Sequence, residues 1–171
     1  MSTLLVTEDR QLTIPPSPGS SAHDFDFYTG RWRIHNRKLQ ARLCGCTEWI
    51  EFEAEQEMQL LLNGQGNIDF FHALDGGGFE GMTLRLFNPA TRLWSIYWAD
   101  STRVILDPPV TGSFENGIGT FYGWDECNGQ TVLVKFCWDA RQPDSPTWSQ
   151  AFSTDQGQTW EWNWYMYMTR R

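Results

Sequence analysis

The chain closes with "TWEWNWYMYMTRR", Thr159 to Arg171, and how that stretch is housed decides the fold. Trp160, Trp162, Trp164, Met166 and Met168 alternate with Glu161, Asn163, Tyr165 and Tyr167. That is the period of a strand and not of a helix. A strand this long and apolar makes a poor sheet edge, because its unpaired backbone groups invite another chain. Pairing it with the first strand of the domain removes the edge and closes the sheet into a barrel. Both of its faces are partly apolar, so parity leaves open which one points inward; a one-residue slip exchanges the two sets.

The remaining strands are punctuated by turn chemistry. Extended segments are expected over 32–39, 47–58, 67–74, 82–87, 93–99, 103–106, 110–115, 119–125, 131–139, 148–154 and 159–169. Asn63-Gly64, Asn116-Gly117 and Asn128-Gly129 each supply two residues tolerant of positive φ, as type I′ hairpins require. Asp75-Gly76-Gly77-Gly78 and Asn88-Pro89 mark longer connections, and Asp107-Pro108-Pro109 ends a strand where proline has no amide to donate. The segment "DFDFYTGRW" gives a short helical turn capped by Asp24 and stopped by Gly30. The expectation is an all-β, antiparallel, up-and-down barrel of about ten strands, favoured over a sandwich because mostly short loops do not suit Greek-key crossings.

Composition bounds the function. A chain of 171 residues fits one domain, here 23–171, preceded by an arm at 1–22 whose "PPSPGSS" reads as a flexible leader. Ten tryptophans are a large supply of bulky groups for a core or a pocket. A net charge of -8 repels phosphate backbones and anionic lipid, so neither nucleic acid nor membrane is an expected partner. Residues 1–22 offer only Leu4-Leu5-Val6 as an apolar run and no basic flank, and the expected location is cytoplasmic. Cys44, Cys46, Cys127 and Cys137 are then expected as free thiols. Cys44-Gly45-Cys46 lacks the spacing and nearby His of a zinc site, and no metal or other cofactor is expected.

Gly30-Arg31-Trp32, at the start of the first strand, resembles the G-x-W signature of lipocalins and their calycin relatives. Arg170 near the chain's end matches the late Arg that lies across that Trp in such barrels. The resemblance thus implies a cation–π contact of about 1 to 2 kcal/mol at the barrel base. The run 24–170, with "GMTLRLFNPATRLWSIYW", "GTFYGWD" and "WSQAFSTDQGQTWEWNWYM", looks like a group of uncharacterised bacterial lipocalin-like domains. That likeness implies a fold and no activity. The chain departs from haem-binding calycin relatives, which place further glycines where Ile34 and His35 stand.

"STDQGQTW", Ser153 to Trp160, has the form of the Asp box of sialidases. It occurs once, without the repeat of about 40 residues that propeller blades show, so its expected work is to fix a hairpin: Asp155 accepts local amides and Gly157 takes a positive φ.

Candidate site residues follow from the strands. If the polar side of the last strand faces inward, Glu161 and Asn163 meet Gln150 in an aromatic cavity. Arg85 in "TLRLF" shares a face with Trp94, Ile96 and Trp98; inward, it wants an anion, and otherwise it is an exposed Arg or one paired with Glu161. His72 in "DFFHAL" is the best single general-base candidate, although with no visible orienting partner a structural imidazole has the stronger claim. His23, His35 and His72 lack metal-site spacing, and "DGGGFEG" lacks the strand-to-helix context of a phosphate loop. The leading expectation is a small apolar or aromatic ligand in the cavity, contacted by Arg85, Trp98, Gln150, Glu161, Asn163 and His72. The alternatives are a barrel-shaped enzyme using His72, Glu161 or Arg85, and a homodimer built on an outward Trp-rich face. Whether the barrel is hollow or filled stays open.

Overall fold

In the computed structural model, which describes residues 5–7, 9–75 and 78–171, a short hairpin precedes a closed barrel. The hairpin is β1 (Leu5–Val6) with β2 (Leu12–Thr13). The barrel comprises β3 (Gly30–Leu39), β4 (Trp49–Leu61), β5 (Gly66–Ala73), β6 (Glu80–Asn88), β7 (Leu93–Asp100), β8 (Val110–Glu115), β9 (Ile118–Cys127), β10 (Gln130–Asp139), β11 (Thr147–Ser153) and β12 (Glu161–Arg170). Each strand pairs antiparallel with the next, and β12 pairs with β3 to close the ring. The long last strand is therefore never an edge.

Closure sets Trp32 directly opposite Arg170. The guanidinium lies 4.3 Å from the Trp32 ring centroid, and its Nη1 and Nη2 donate to the carbonyls of Thr29 (3.0 Å) and Phe27 (2.7 Å). The Trp32 indole N–H donates to the Tyr28 carbonyl, and the Tyr28 ring stacks on Trp32. The helical turn Asp26–Tyr28 is thereby pressed against the base of the barrel with Phe25 and Tyr28 buried, and Phe25 meets Trp94, Phe114 and Trp138 edge to face. Such edge contacts add about 0.5 to 1.5 kcal/mol each beyond area burial.

Turn chemistry accounts for most connections and for the departures. Asn116-Gly117 and Asn128-Gly129 both have positive φ and join their strands through two residues. At Asn63-Gly64 the left-handed run begins one residue earlier, at Leu62, and the connection widens into a turn of 3-10 helix over Leu62–Gly64. The strand expected at 103–106 is absent. Asp100 accepts the amides of Thr102 and Arg103, which turns the chain away, and Pro108-Pro109 cannot continue a ladder. As a result β7 and β8 share only three paired positions, Trp94 to Ile96 against Gly112 to Val110.

The 15–21 segment, read as a flexible leader, is tied to the barrel's closed end. Ser17 is buried and its hydroxyl donates to the Phe114 carbonyl, and the Ser20 hydroxyl donates to the Arg92 carbonyl at 2.8 Å. Leu4, Gly76 and Gly77, which entered the apolar-run and glycine-loop readings, lie outside the described residues. Among the described residues no helix is long and apolar enough to cross a membrane.

Candidate ligand-binding cavity

The barrel is hollow. A cavity of about 450 Å³ opens at the end opposite Trp32 and Arg170, within the range of small-molecule sites. Its floor, walls and mouth come from different parts of the strands and have different chemistry.

The floor is a buried polar network. Tyr28 Oη donates to Gln56 Oε1 at 2.7 Å, Gln56 Nε2 donates to Asp69, and Arg85 Nη1 donates both to Asp69 and to Asn67 Oδ1, the latter at 3.0 Å. Asp69 is 0% and Arg85 3% exposed, so this is a desolvated ion pair. Burial, followed by the charge of Asp69, raises the Tyr28 hydroxyl well above its usual pKa and keeps it a donor. The Arg85 guanidinium also rests on aromatic faces, 5.0 Å from Phe25 and 5.6 Å from Trp138. Arg85 Nε and Asn67 Nδ2 are buried without a hydrogen-bond partner among the described residues.

The walls are aromatic. Trp98 and Trp164 meet edge to face at 6.4 Å, with Phe71 against one and Trp148 against the other. Gly81 makes room for Trp98: a Cβ there would lie 2.1 Å from the indole ring. The Trp164 indole N–H donates to Asn36 Oδ1 at 3.1 Å, and Gln150 Nε2 donates to Asn163 Oδ1 at 2.8 Å.

A β-bulge explains why neither parity of the last strand was right. Gln150 pairs with Trp164 but Ala151 pairs with Trp162, so Asn163 is an extra residue on β12. Past the bulge, Trp164, Met166 and Met168 line the cavity. Before it the pattern inverts, so Trp162 turns outward and stacks on Tyr165.

The expected site residues divide accordingly. Arg85, Trp98 and Gln150 line the cavity, and Asn163 is buried behind Gln150. Glu161 does not line it. The carboxylate is occupied by the Leu43 amide, at 2.9 and 3.0 Å, fixing the loop after β3. His72 points out of the barrel, with a 58% exposed side chain beside Glu80, because β5 sends Asn67, Asp69 and Phe71 inward and the residue after Phe71 must face the other way. His23 and His35 are likewise exposed beside Asp26 and Glu53.

Two residues that the sequence reading missed stand at the mouth. Lys38 Nζ lies 4.1 Å from the centroid of Trp164, and the Arg42 guanidinium lies 5.3 Å from Phe152 and 6.0 Å from the same Trp164. Among the described residues neither has a carboxylate within ion-pair distance. Burial, with the neighbouring Arg42 charge second, lowers Lys38 to about 8. Across the rim, Arg103 pairs with Asp107 at 2.6 Å and with Asp100 at 3.4 Å. The inward parity of β3, set by Trp32, Ile34 and Asn36, was a readable signal for Lys38.

No protein-family model and no curated protein sequence matches the chain. Its shape does match solved structures. The S-type phycobiliprotein lyase CPES of Guillardia theta superposes with a TM-score of 0.61 at 8% identity, covering 90% of this chain and 94% of that one. Rv2717c of M. tuberculosis gives 0.60 at 11% identity, covering 91% and 99%. The barrel is lipocalin-like. At these identities the likeness carries the fold alone, and the lipocalin-like barrel's role must come from its own cavity.

Proposed function

We propose that the protein binds a small, flat, largely aromatic or apolar molecule inside its barrel. The observation that carries this reading is the open cavity of about 450 Å³ walled by Phe71, Trp98, Trp148 and Trp164. Rings fixed in place offer large contact area at little entropic cost, while Gln150, Thr83 and Arg85 supply a few polar groups to orient a guest. The enzyme alternative has less support, because His72 faces solvent, Glu161 is held by a backbone amide and Arg85 is paired with Asp69. The likeness to a barrel named as a phycobiliprotein lyase is compatible with a small-molecule role.

The test is fluorescence titration with N-phenyl-1-naphthylamine, a neutral dye of suitable size. The wild type is expected to bind it saturably at one site. Met166→Trp combined with Thr83→Phe, which adds bulk from two walls, is expected to weaken binding by about tenfold or more, or about 1.4 kcal/mol, while thermal unfolding remains cooperative. Absence of saturable binding by the wild type would overturn the proposal.

A second reading draws on the outer surface. Trp162, Tyr165 and Tyr167 stack in sequence there, with Trp49 against Tyr165. This ladder is a candidate face for a second copy, and sedimentation across concentration would reveal a dimer.

A further inference from the structure

The two cations at the mouth are placed unlike every other Arg or Lys that faces the cavity. Arg85 and Arg103 each have carboxylate partners. Lys38 and Arg42 share the ring of Trp164 instead, and the Arg42 charge makes the Lys38 amine harder to protonate. The facing acids act on these cations only from beyond ion-pair distance, Asp100 on Lys38 and Glu161 and Asp125 on Arg42, and each is also held by other donors. Asp100 accepts the Trp98 indole N–H and two backbone amides besides Arg103, and Glu161 is taken up by the Leu43 amide. Asp125, the other acid near Arg42, accepts the Glu126 amide, and burial raises its pKa. Two partly desolvated cations over one aromatic wall, open to an apolar cavity, form a receptor for an anion whose body is aromatic.

We propose that the cavity's ligand is an organic anion, a carboxylate or sulfonate on a flat apolar body, with its acid group at the mouth on Lys38 and Arg42 and its body against Trp164. This rests on the reading of the cavity as a ligand site and specifies which molecules enter it. The Arg85 and Asp69 pair at the floor is internally neutralised, so the deep end of the ligand meets neutral or donor groups, with Arg85 Nε the donor still lacking an acceptor. The acid group therefore belongs at the mouth.

Two dyes that differ in one sulfonate make the test: 8-anilinonaphthalene-1-sulfonate and N-phenyl-1-naphthylamine. Lys38→Met with Arg42→Met keeps bulk at both positions and removes both charges. The variant is expected to lose about tenfold or more in affinity for the sulfonate and to stay within about twofold for the neutral dye. An unchanged sulfonate affinity, or an equal loss for both dyes, would overturn the inference and leave the cavity reading standing. Failure of the wild type to bind either dye would instead remove the cavity reading, and this inference with it.

Titration separates charge from packing. With Lys38 near 8, sulfonate binding to the wild type should weaken between pH 7 and 9.5, while neutral-dye binding stays level. The charged groups around Lys38 are Arg42, Asp100 and Arg103, none of which changes charge in that window, and Cys127 beside Arg42 is raised above its usual range. Lys38→Arg should keep sulfonate affinity within about twofold and abolish its pH dependence. A loss in Lys38→Arg as large as in Lys38→Met would assign the effect to packing and overturn the proposal.

Discussion

At the closed end of the barrel Arg170 lies on Trp32 and donates to two carbonyls, and Arg85 lies on Phe25 and pairs with Asp69. At the open end Lys38 and Arg42 also lie on rings, yet among the described residues no carboxylate pairs with them. The same cation–π geometry thus serves two ends differently. With a fixed acceptor set the cation closes a structure, and where it is buried, as Arg85 is, removing its partner leaves an uncompensated charge in a low dielectric. Without one it is left available to whatever enters, and the protein tolerates the desolvation of its charge in the meantime.

The floor should give the largest effect. Asp69→Ala leaves Arg85 uncompensated at 3% exposure and strips acceptors from Gln56 and Arg85, so a loss of about 3 to 5 kcal/mol in chemical denaturation is expected. Adding Arg85→Met should recover most of it, since the remaining surroundings are the rings of Phe25, Tyr28 and Trp138. A single-variant loss below about 1 kcal/mol, within the range of an exposed pair, would erase the distinction between floor and mouth.

Lys38 should behave in the opposite sense. Its amine titrates at about 8 in the folded protein against an ordinary value of 10.5, so the folded state binds its proton less tightly than the unfolded one. The destabilisation is fully present below pH 8 and disappears as pH rises toward the unfolded value. Lys38→Met is therefore expected to stabilise the protein at pH 7 by about 1 to 2 kcal/mol, discounted from the full shift because the residue is only half-buried. The advantage should shrink above pH 9. Urea unfolding at pH 7 and pH 9.5 measures it; a destabilised variant at pH 7 would mean that Lys38 supports the fold as Arg170 does.

The closed end was far more legible in the sequence than the open one. Trp32 and Arg170 could be paired because the last strand's apolar length demands a neighbour, and the Gly30-Arg31-Trp32 resemblance named the same contact. Arg85 was placed correctly with Ile96, its cross-strand partner, since the β6 and β7 hairpin is regular. Its carboxylate was not found: "DFF" puts two adjacent rings after Asp69, and either could have faced inward. The bulge at Asn163 has no local signature, yet it decides that Trp164 faces the cavity while Trp162 does not. Glu161 was misplaced for another reason: its carboxylate is taken by the Leu43 amide of the loop after β3. The mouth depends on loops, whose geometry follows from contacts distant in sequence such as Leu43 with Glu161, so Arg42 left no periodic trace.

The smallest effect belongs to the Ser153 to Trp160 hairpin, which joins β11 to β12 at the mouth end and lets the two ends be compared in acid. Asp155 accepts the Thr159 hydroxyl at 2.6 Å, the Thr159 amide at 2.8 Å and the Ser153 hydroxyl at 2.7 Å, and Gly157 takes its positive φ beside Trp160. Those donors, the Thr159 hydroxyl first, lower the carboxyl to about 2. A depressed carboxylate contributes stability above its ordinary value of 3.8, and that contribution is lost as pH falls through 2. Asp155→Ala should accordingly unfold at a slightly lower temperature than wild type at pH 5, and the gap should close as the pH is brought down toward 2. Because Asp155 fixes the turn and touches neither Lys38 nor Arg42, sulfonate binding at pH 7 should not change. A marked loss of that binding would mean that the mouth's cations are held by the hairpin, and that the open end is as fully braced as the closed one.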